Sequence, residues 1–349
     1  VVAGTTTLKD ATWFADKVPF SILTSVRSFR AIRQADAGGK ITLRPKYEFL
    51  GISNPVFSVP PPDDQSSQIQ IAKSLYPTRA GNNADAMSDL LPLPETEDEV
   101  LRIASMFSRD RVRILTQKNA NETRLRKTAL QEYRIIDFAT HALVAGEFEG
   151  VNEPSIVLSS GDPNISRSDG LITASEIGVL RLNADLVILS ACNTAAGDGG
   201  FASPGLSGLT NAVLAAGAKS VVATQWAVNS LSAKHVAVET SRFFVKQNLS
   251  AASSLQKAFK ATRERESGKF LHPRYWAGFI VVGDGAYEPG QIRPTGSMSL
   301  DSRSNEMELL TSGDRVAEWR SVIKVPSTAD DIVSSGFSAE HATSTKKRA

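Results

Sequence analysis

The sequence predicts an α/β protein with a mainly parallel sheet. Short β-branched runs recur along the chain and alternate with segments of helical periodicity. Two of these runs, 186–189 and 220–223, are continuously apolar, which is typical of strands that crossover helices bury on both faces. The segments expected to form strands are 47–52, 112–115, 134–139, 185–191, 219–224 and 278–282.

Helix-start signals lie between these strands. Thr96 is followed three residues later by Glu99, so that the hydroxyl can cap the first turn while the carboxylate reaches back, and an apolar face follows. Thr173 and Glu176 repeat the pattern. Two longer helices are expected after the fifth strand, at about 232–247 and about 251–263.

Composition excludes several classes of function. The 349 residues include 39 Lys and Arg against 37 Asp and Glu, a net charge of +2, and 41% are hydrophobic. So small a charge gives no field that would attract nucleic acid or an anionic membrane. The most apolar stretch, 209–228, contains Asn211, Lys219, Thr224 and Gln225, and is too polar to cross a bilayer. We therefore expect neither nucleic acid nor a membrane among the partners.

Length allows either two domains or one larger α/β unit with tails. We predict one domain over 1–290 and a poorly ordered tail over 291–349, because Ser, Thr, Gly, Pro and charge dominate there, with one docked element near 316–325. A stretch opening at the Pro-rich segment 60–67 and running to about 94 has little periodicity and is expected to be a functional or mobile loop. The chain starts at Val1 without Met, and we interpret it as a piece of a longer protein.

Two reactive side chains follow predicted strands directly. His141 ends the run 135–140, and Cys192 ends the run 186–191. Because parallel strands present their carboxyl ends at one sheet edge, the two would lie close together if their strands are neighbours. A nearby imidazole can take the proton of a thiol, and the imidazolium can later protonate a leaving amine.

Other interpretations of these two residues stay open. Cys192 could be a small core residue, and His141 a loop or capping residue. Cys192 is the only cysteine, which excludes a disulfide framework and a thiolate-rich zinc site, and we expect neither a metal nor a cofactor. Phosphatase chemistry would need Cys-x5-Arg, but the sixth residue after Cys192 is Asp198. The Gly-rich segment 197–205 lacks the spacing of a phosphate-binding loop and is interpreted as a substrate-binding loop.

Four ordered motifs stand out in the sequence. They are Phe-Ala-Thr-His at 138–141, Leu-Ser-Ala-Cys-Asn-Thr-Ala-Ala-Gly at 189–197, Gly-Ala-Lys-Ser-Val-Val-Ala-Thr-Gln-Trp-Ala-Val at 217–228 and His-Pro-Arg-Tyr-Trp-Ala-Gly-Phe at 272–279. The histidine lies 192 − 141 = 51 residues before the cysteine, which is the caspase spacing. Together the motifs resemble the CHAT domain, a family related to caspases, separase and gingipains and often associated with tetratricopeptide repeats. The resemblance covers about residues 10–290.

The resemblance implies a caspase-like three-layer α/β/α sandwich and a cysteine endopeptidase with a His141–Cys192 dyad. The backbone amides of Ala142 and Cys192 would then be the oxyanion donors. A protein substrate and a tetratricopeptide-repeat or sensor region are the implied partners, and we expect a cytoplasmic protein. The alternative is a catalytically silent scaffold or interaction domain with the same fold.

The sequence departs from the family pattern after Trp226. The common pattern there is Trp-Pro-Val-Asp-Asp, whereas this chain has Asn229 and Ser230 in place of the two acids. In separase-like relatives, an acid in this stretch helps to bind the basic residue before the scissile bond. We therefore expect a neutral pocket formed by Trp226, Asn229 and Ser230, unless Asp198 or Glu147 supplies a charge, and a weak preference for Arg or Lys. Trp226 could line the cleft or pack beneath it.

Overall fold

A computed structural model describes residues 8–23, 45–57, 90, 92–146, 151–159, 169–190 and 204–287. Within these residues the central sheet has six strands, and the six predicted segments form them. The strands are β1 (Tyr47–Ser53), β2 (Val112–Thr116), β3 (Tyr133–Ala139), β7 (Leu186–Leu189), β8 (Ser220–Thr224) and β9 (Phe279–Gly283).

The strand order of this sheet is β2-β1-β3-β7-β8-β9. Every neighbouring pair is parallel except β8 with β9, which is antiparallel. The sheet is therefore mainly parallel, as predicted, and the carboxyl ends of β1, β3, β7 and β8 emerge at one edge. The edge strand β9 also forms a parallel bridge to Ile22 in the N-terminal segment.

Helices cover both faces of the sheet, which gives the three-layer α/β/α sandwich. The α-helices in the described residues are α1 (Phe14–Lys17), α2 (Pro94–Ala104), α3 (Glu122–Lys127), α4 (Ala174–Gly178), α5 (Pro204–Ala215), α6 (Ser230–Lys246) and α7 (Ala251–Arg263). One face of the sheet packs against α3, α4 and α5, and the other against α2, α6 and α7. Short 3-10 helices are Arg109–Arg111, Gln117–Asn119, Leu130–Glu132, Glu266–Gly268 and Pro273–Tyr275.

A second, three-stranded sheet lies beyond β3 and was not predicted. Its strands are β4 (Ala142–Leu143), β5 (Ser155–Val157) and β6 (Leu171–Thr173), and both pairings are antiparallel. The strands are two or three residues long, too short for a periodic sequence pattern. This sheet fixes the chain that follows His141.

The predicted start of α2 at Thr96 is wrong, whereas that of α4 is confirmed. Pro94 occupies the first turn of α2, and the Thr96 hydroxyl donates to the Leu93 carbonyl (2.6 Å). Proline suits this position because the first amide of a helix needs no intrahelical acceptor. Thr173 and Glu176 form the expected reciprocal capping box of α4.

The described residues include no helix that is long and apolar enough to cross a membrane. The predicted tail 291–349, its element at 316–325 and most of the predicted loop 60–94 lie outside the described residues. The division at residue 290 stays a prediction.

Candidate active site

His141 lies at the carboxyl edge of the central sheet, two residues after the end of β3. It is almost fully buried. The Val157 amide donates to the His141 carbonyl (2.9 Å), and the Thr140 hydroxyl donates to the Val157 carbonyl (2.7 Å). The backbone at His141 is thus held between the central sheet and the small sheet. A group held in this way is suited to chemistry that needs fixed geometry.

An aromatic contact restrains the imidazole itself. The ring of Phe57, which follows β1, lies 5.3 Å from the His141 ring between centroids, at an interplanar angle of 54°. Tilted aromatic pairs at this distance attract each other. Two strands of the central sheet, β1 and β3, therefore contribute to the placement of one ring.

Ala142 is the first residue of β4 and pairs with Ile156. The neighbouring pair, His141 with Val157, is hydrogen-bonded, because the Val157 amide donates to the His141 carbonyl. Along a strand of an antiparallel ladder, successive amides point alternately toward the partner strand and away from it. The Ala142 N–H consequently points away from β5. The Ala142 amide therefore takes no part in the hydrogen bonds between β4 and β5.

Cys192 lies outside the described residues, as do Asp198 and Glu147. The strand that leads to Cys192 is described, and it is the neighbour of β3. The last pair in their register is Phe138 with Leu189. His141 and Cys192 each come three residues after a member of that pair, because 141 − 138 = 3 and 192 − 189 = 3.

Trp226 follows β8 at the same edge of the sheet. Its side chain packs against the backbone and is also partly exposed to solvent. Its indole is 36% exposed, and its Nε1 donates to the Arg274 carbonyl (3.3 Å). A Cβ at residue 278 would lie 2.8 Å from the indole, so the ring can rest on the backbone only because Gly278 has no side chain. The contact with Gly278 supports a packing role for Trp226, and the exposed part of the indole is accessible to a substrate.

Asn229 is the N-cap of α6. Its Oδ1 accepts a hydrogen bond from the Ser232 amide (3.2 Å), and Ser230 is the first helical residue. Asn is among the preferred N-cap residues. The side chain that departs from the family pattern therefore has a structural partner, and contact of Asn229 and Ser230 with a substrate stays a prediction.

Buried polar side chains beneath the same edge were missed as site residues. Asp137 in β3, Glu99 in α2 and Ser190 after β7 are all buried. Burial raises the pKa of Glu99 to about 7, whereas Ser190, Asp137 and Lys234 act to lower this pKa. Burial and the neighbouring Glu99 raise the pKa of Asp137 well above its usual range. An acid inside the apolar run 135–139 was the sequence signal that could have identified Asp137.

The described residues contain no group of three or more His, Cys, Asp or Glu side chains that could hold a metal ion. His141 thus has no metal-binding cluster around it within that part of the chain.

The chain belongs to the CHAT domain family, whose family model matches residues 4–284. The caspase-like architecture expected from the resemblance agrees with the sheet described above. The match includes His141 and the motifs at 189–197 and 217–228.

Two similar proteins carry the same name, Tetratricopeptide repeat protein 28. The Mus musculus protein is 29% identical over 219 residues, covering 55% of this chain and 9% of that protein. The Homo sapiens protein is 26% identical over 219 residues, covering 55% of this chain and 8% of that protein. The chain therefore spans less than a tenth of the length of these relatives.

Among solved structures, the Arg-specific cysteine proteinase gingipain R is similar with a TM-score of 0.41 and 9% sequence identity. The similarity covers 71% of this chain and 48% of that one.

Proposed function

We propose that this chain is a cysteine endopeptidase in which His141 is the general base and Cys192 the nucleophile. The observation that carries the proposal is the register of β3 with β7, because His141 and Cys192 are equally far in sequence from the pair Phe138 and Leu189. Residues that follow neighbouring parallel strands at equal distance emerge at the same edge.

The chemistry follows from these two groups. The thiol of Cys192 gives its proton to His141, and the thiolate attacks the scissile carbonyl carbon. The imidazolium then protonates the leaving amine, which leaves a thioester on Cys192. His141 next removes a proton from water, and the resulting hydroxide attacks the thioester carbonyl. The C–S bond then breaks, the fragment with the new carboxyl group leaves, and the imidazolium returns its proton to the Cys192 sulfur.

The negative oxygen that forms at the carbonyl needs donors that are already in place. We propose the amides of Ala142 and Cys192 for this role. The direction of the Ala142 N–H, away from β5, supports its assignment, and fixed donors stabilise such an oxygen without reorganisation. Trp226 at the end of β8 would line the cleft beside the dyad.

We also propose that a repeat region, of the kind that names the mouse and human relatives, presents the protein substrate or controls access to the dyad. Such a region would be a partner or another segment of the same protein.

The test is alkylation of Cys192 by iodoacetamide as a function of pH. Cys192 is the only cysteine, so incorporated label reports on it alone. The unmodified chain should react well below the pH of about 8.5 at which a free thiol ionises, and His141→Ala should remove that advantage.

The matched control is His272→Asn, which removes an imidazole elsewhere while leaving an acceptor for the Arg274 amide that His272 now caps. This variant should react like the unmodified chain. If Cys192 reacts as an ordinary thiol in all three proteins, the dyad is not assembled, and the same fold serves as a scaffold. Cleavage of a protein substrate should in turn be lost in both Cys192→Ala and His141→Ala.

A further inference from the structure

Two of the three buried polar side chains beneath the active edge lie on the segments that lead to the dyad. Asp137 is four residues before His141 in β3, and Ser190 is two residues before Cys192 after β7. Glu99 joins them from α2. The three side chains are between 0% and 4% exposed. Carboxyl groups are rarely buried this completely without a specific partner.

The register of β1 explains how Glu99 reaches Asp137. Asp137 pairs with Gly51 on β1 and with Ile188 on β7. A Cβ at residue 51 would come within 2.8 Å of the Val100 Cβ, so α2 packs directly on the sheet at this glycine. Glu99 directly precedes Val100 in α2. Because successive side chains of a strand point to opposite faces of the sheet, Asp137 points to the face on which α2 packs, and the helix brings Glu99 close to it.

The surroundings of the pair contain few other charged groups. Asp137 and Ser190 lie beside Glu99, and the charges that act on it are those of Lys234 on α6 and Glu95 on its own helix. Lys234 also pairs with Asp98 (3.0 Å). Glu99 and Ser190 lie beside Asp137, and no group in the described chain donates a hydrogen bond of normal geometry to either of its carboxylate oxygens.

Two adjacent carboxyl groups in an apolar interior cannot both carry a charge at moderate cost. A protonated carboxyl, in contrast, can donate a hydrogen bond to its neighbour. We propose that Glu99 and Asp137 hold a proton between them near neutral pH and, together with Ser190, position the end of β7 from which the chain runs to Cys192. The positioning part of this proposal rests on the proposed function; the held proton does not.

The sign of the pH dependence follows from the direction of both shifts. The unfolded chain releases these protons near the ordinary carboxyl pKa of about 4, whereas the folded chain retains them to higher pH. The unfolding equilibrium constant should therefore rise about tenfold per pH unit for each retained proton, from that pKa up to the folded one. A buried charge then appears under the edge and weakens its packing.

The first experiment follows denaturant unfolding between about pH 5 and about pH 8 for the unmodified chain and for Glu99→Gln. The variant keeps the shape of the side chain and cannot ionise. Its stability relative to the unmodified chain should rise with pH, by up to about tenfold in the equilibrium constant per pH unit. Glu95→Gln, one turn away on the same helix, is the matched control and should leave the profile nearly unchanged.

If stability changes with pH in the same way in the unmodified chain, Glu99→Gln and Asp137→Asn, the proposal that the pair holds a proton is wrong. Infrared spectroscopy of the unmodified chain tests the same point without a variant, so a variant that fails to fold leaves it decidable. A protonated carboxyl signal should persist at about pH 6, well above the ordinary carboxyl pKa. Its absence would also overturn the proposal.

The second experiment separates positioning from the held proton. It measures the His141-dependent part of Cys192 alkylation, which is the rate lost in His141→Ala, in the unmodified and Glu99→Gln backgrounds. This part should decline as the pair ionises in the unmodified chain and be retained in Glu99→Gln. Identical profiles would overturn positioning. If alkylation never depends on His141 while unfolding keeps its pH dependence, the proposed function fails and the held proton stands.

Discussion

At the scale of single residues, Asn229 has two properties that can be separated. It caps α6, and it stands where the family pattern has an acid. Asp caps helices as well as Asn does, so Asn229→Asp should retain the cap while adding a charge beside Trp226. If this stretch forms the pocket, the variant should increase the preference for Arg or Lys before the scissile bond.

A peptide library with varied residues before the cleaved bond would measure that preference. Asn229→Ser, which can cap without a charge, is the control and should keep the weak preference expected of the unmodified chain. An unaltered profile in Asn229→Asp would place the pocket elsewhere, and a strong basic preference in the unmodified chain would contradict a neutral pocket.

Residue roles could be predicted where they depend on local pattern, and not where they depend on contacts between distant elements. The position of His141 at the edge of the sheet was predictable because this residue directly follows an apolar run. Glu99 was interpreted as a capping residue, because the sequence does not show that Pro94 begins the helix. The close approach of α2 to Gly51, which buries Glu99, depends on residues 48 positions apart in the chain.

At the scale of elements, the six strands of the central sheet were predictable and their order was not. Buried strands have their own sequence pattern, but strand order depends on where each crossover returns. The antiparallel direction of β9 was missed for the same reason, whereas β4, β5 and β6 were missed because they are too short for a periodic sequence pattern. The small sheet matters because it holds His141 through Val157.

The opposite edge of the sheet is joined by an ion network. Asp185 precedes β7 and accepts from Lys219 Nζ (2.9 Å) and Arg134 Nε (3.1 Å), and Arg134 also pairs with Glu48 (3.0 Å). Burial opposes the charge on Lys219, but Asp185 and Tyr287 together raise its pKa. The network thus connects the amino ends of β1, β3, β7 and β8.

We expect Asp185→Asn to lower the free energy of unfolding by roughly 2–3 kcal/mol, because it leaves two partly buried cations without their shared carboxylate. Denaturant unfolding at neutral pH measures this loss. Glu264→Gln, whose exposed carboxylate lies 4.0 Å from Lys260 Nζ, is the control and should change stability by less than about 0.5 kcal/mol. Equal effects of the two substitutions would mean that the network contributes no more than a surface pair.

At the scale of the whole molecule, the two edges of the sheet have different chemical character. At the amino edge the charged side chains form ion pairs, whereas two acids and a histidine are buried at the carboxyl edge. Sites that bind or react are often less stable than the scaffold that carries them. The sequence predicts that the carboxyl edge is the reactive one, because both His141 and Cys192 follow strands that end there, and this stays a prediction.

The last strand bears on the proposed division of the chain. The described residues reach Tyr287, whose hydroxyl contacts Lys219 Nζ (2.9 Å), and the first compact unit ends at Arg293. The six strands of the central sheet and the helices described in both layers lie within 8–287. A chain ending at Arg293 should therefore unfold cooperatively within about 2 °C of the full chain, as followed by thermal unfolding.

A chain ending at Gly278 should lose cooperative unfolding, because it lacks the buried residues Phe279, Val281 and Val282 of β9. If the chain ending at Arg293 unfolds at a much lower temperature than the full chain, residues 294–349 belong to the folded unit and the division near 290 is wrong.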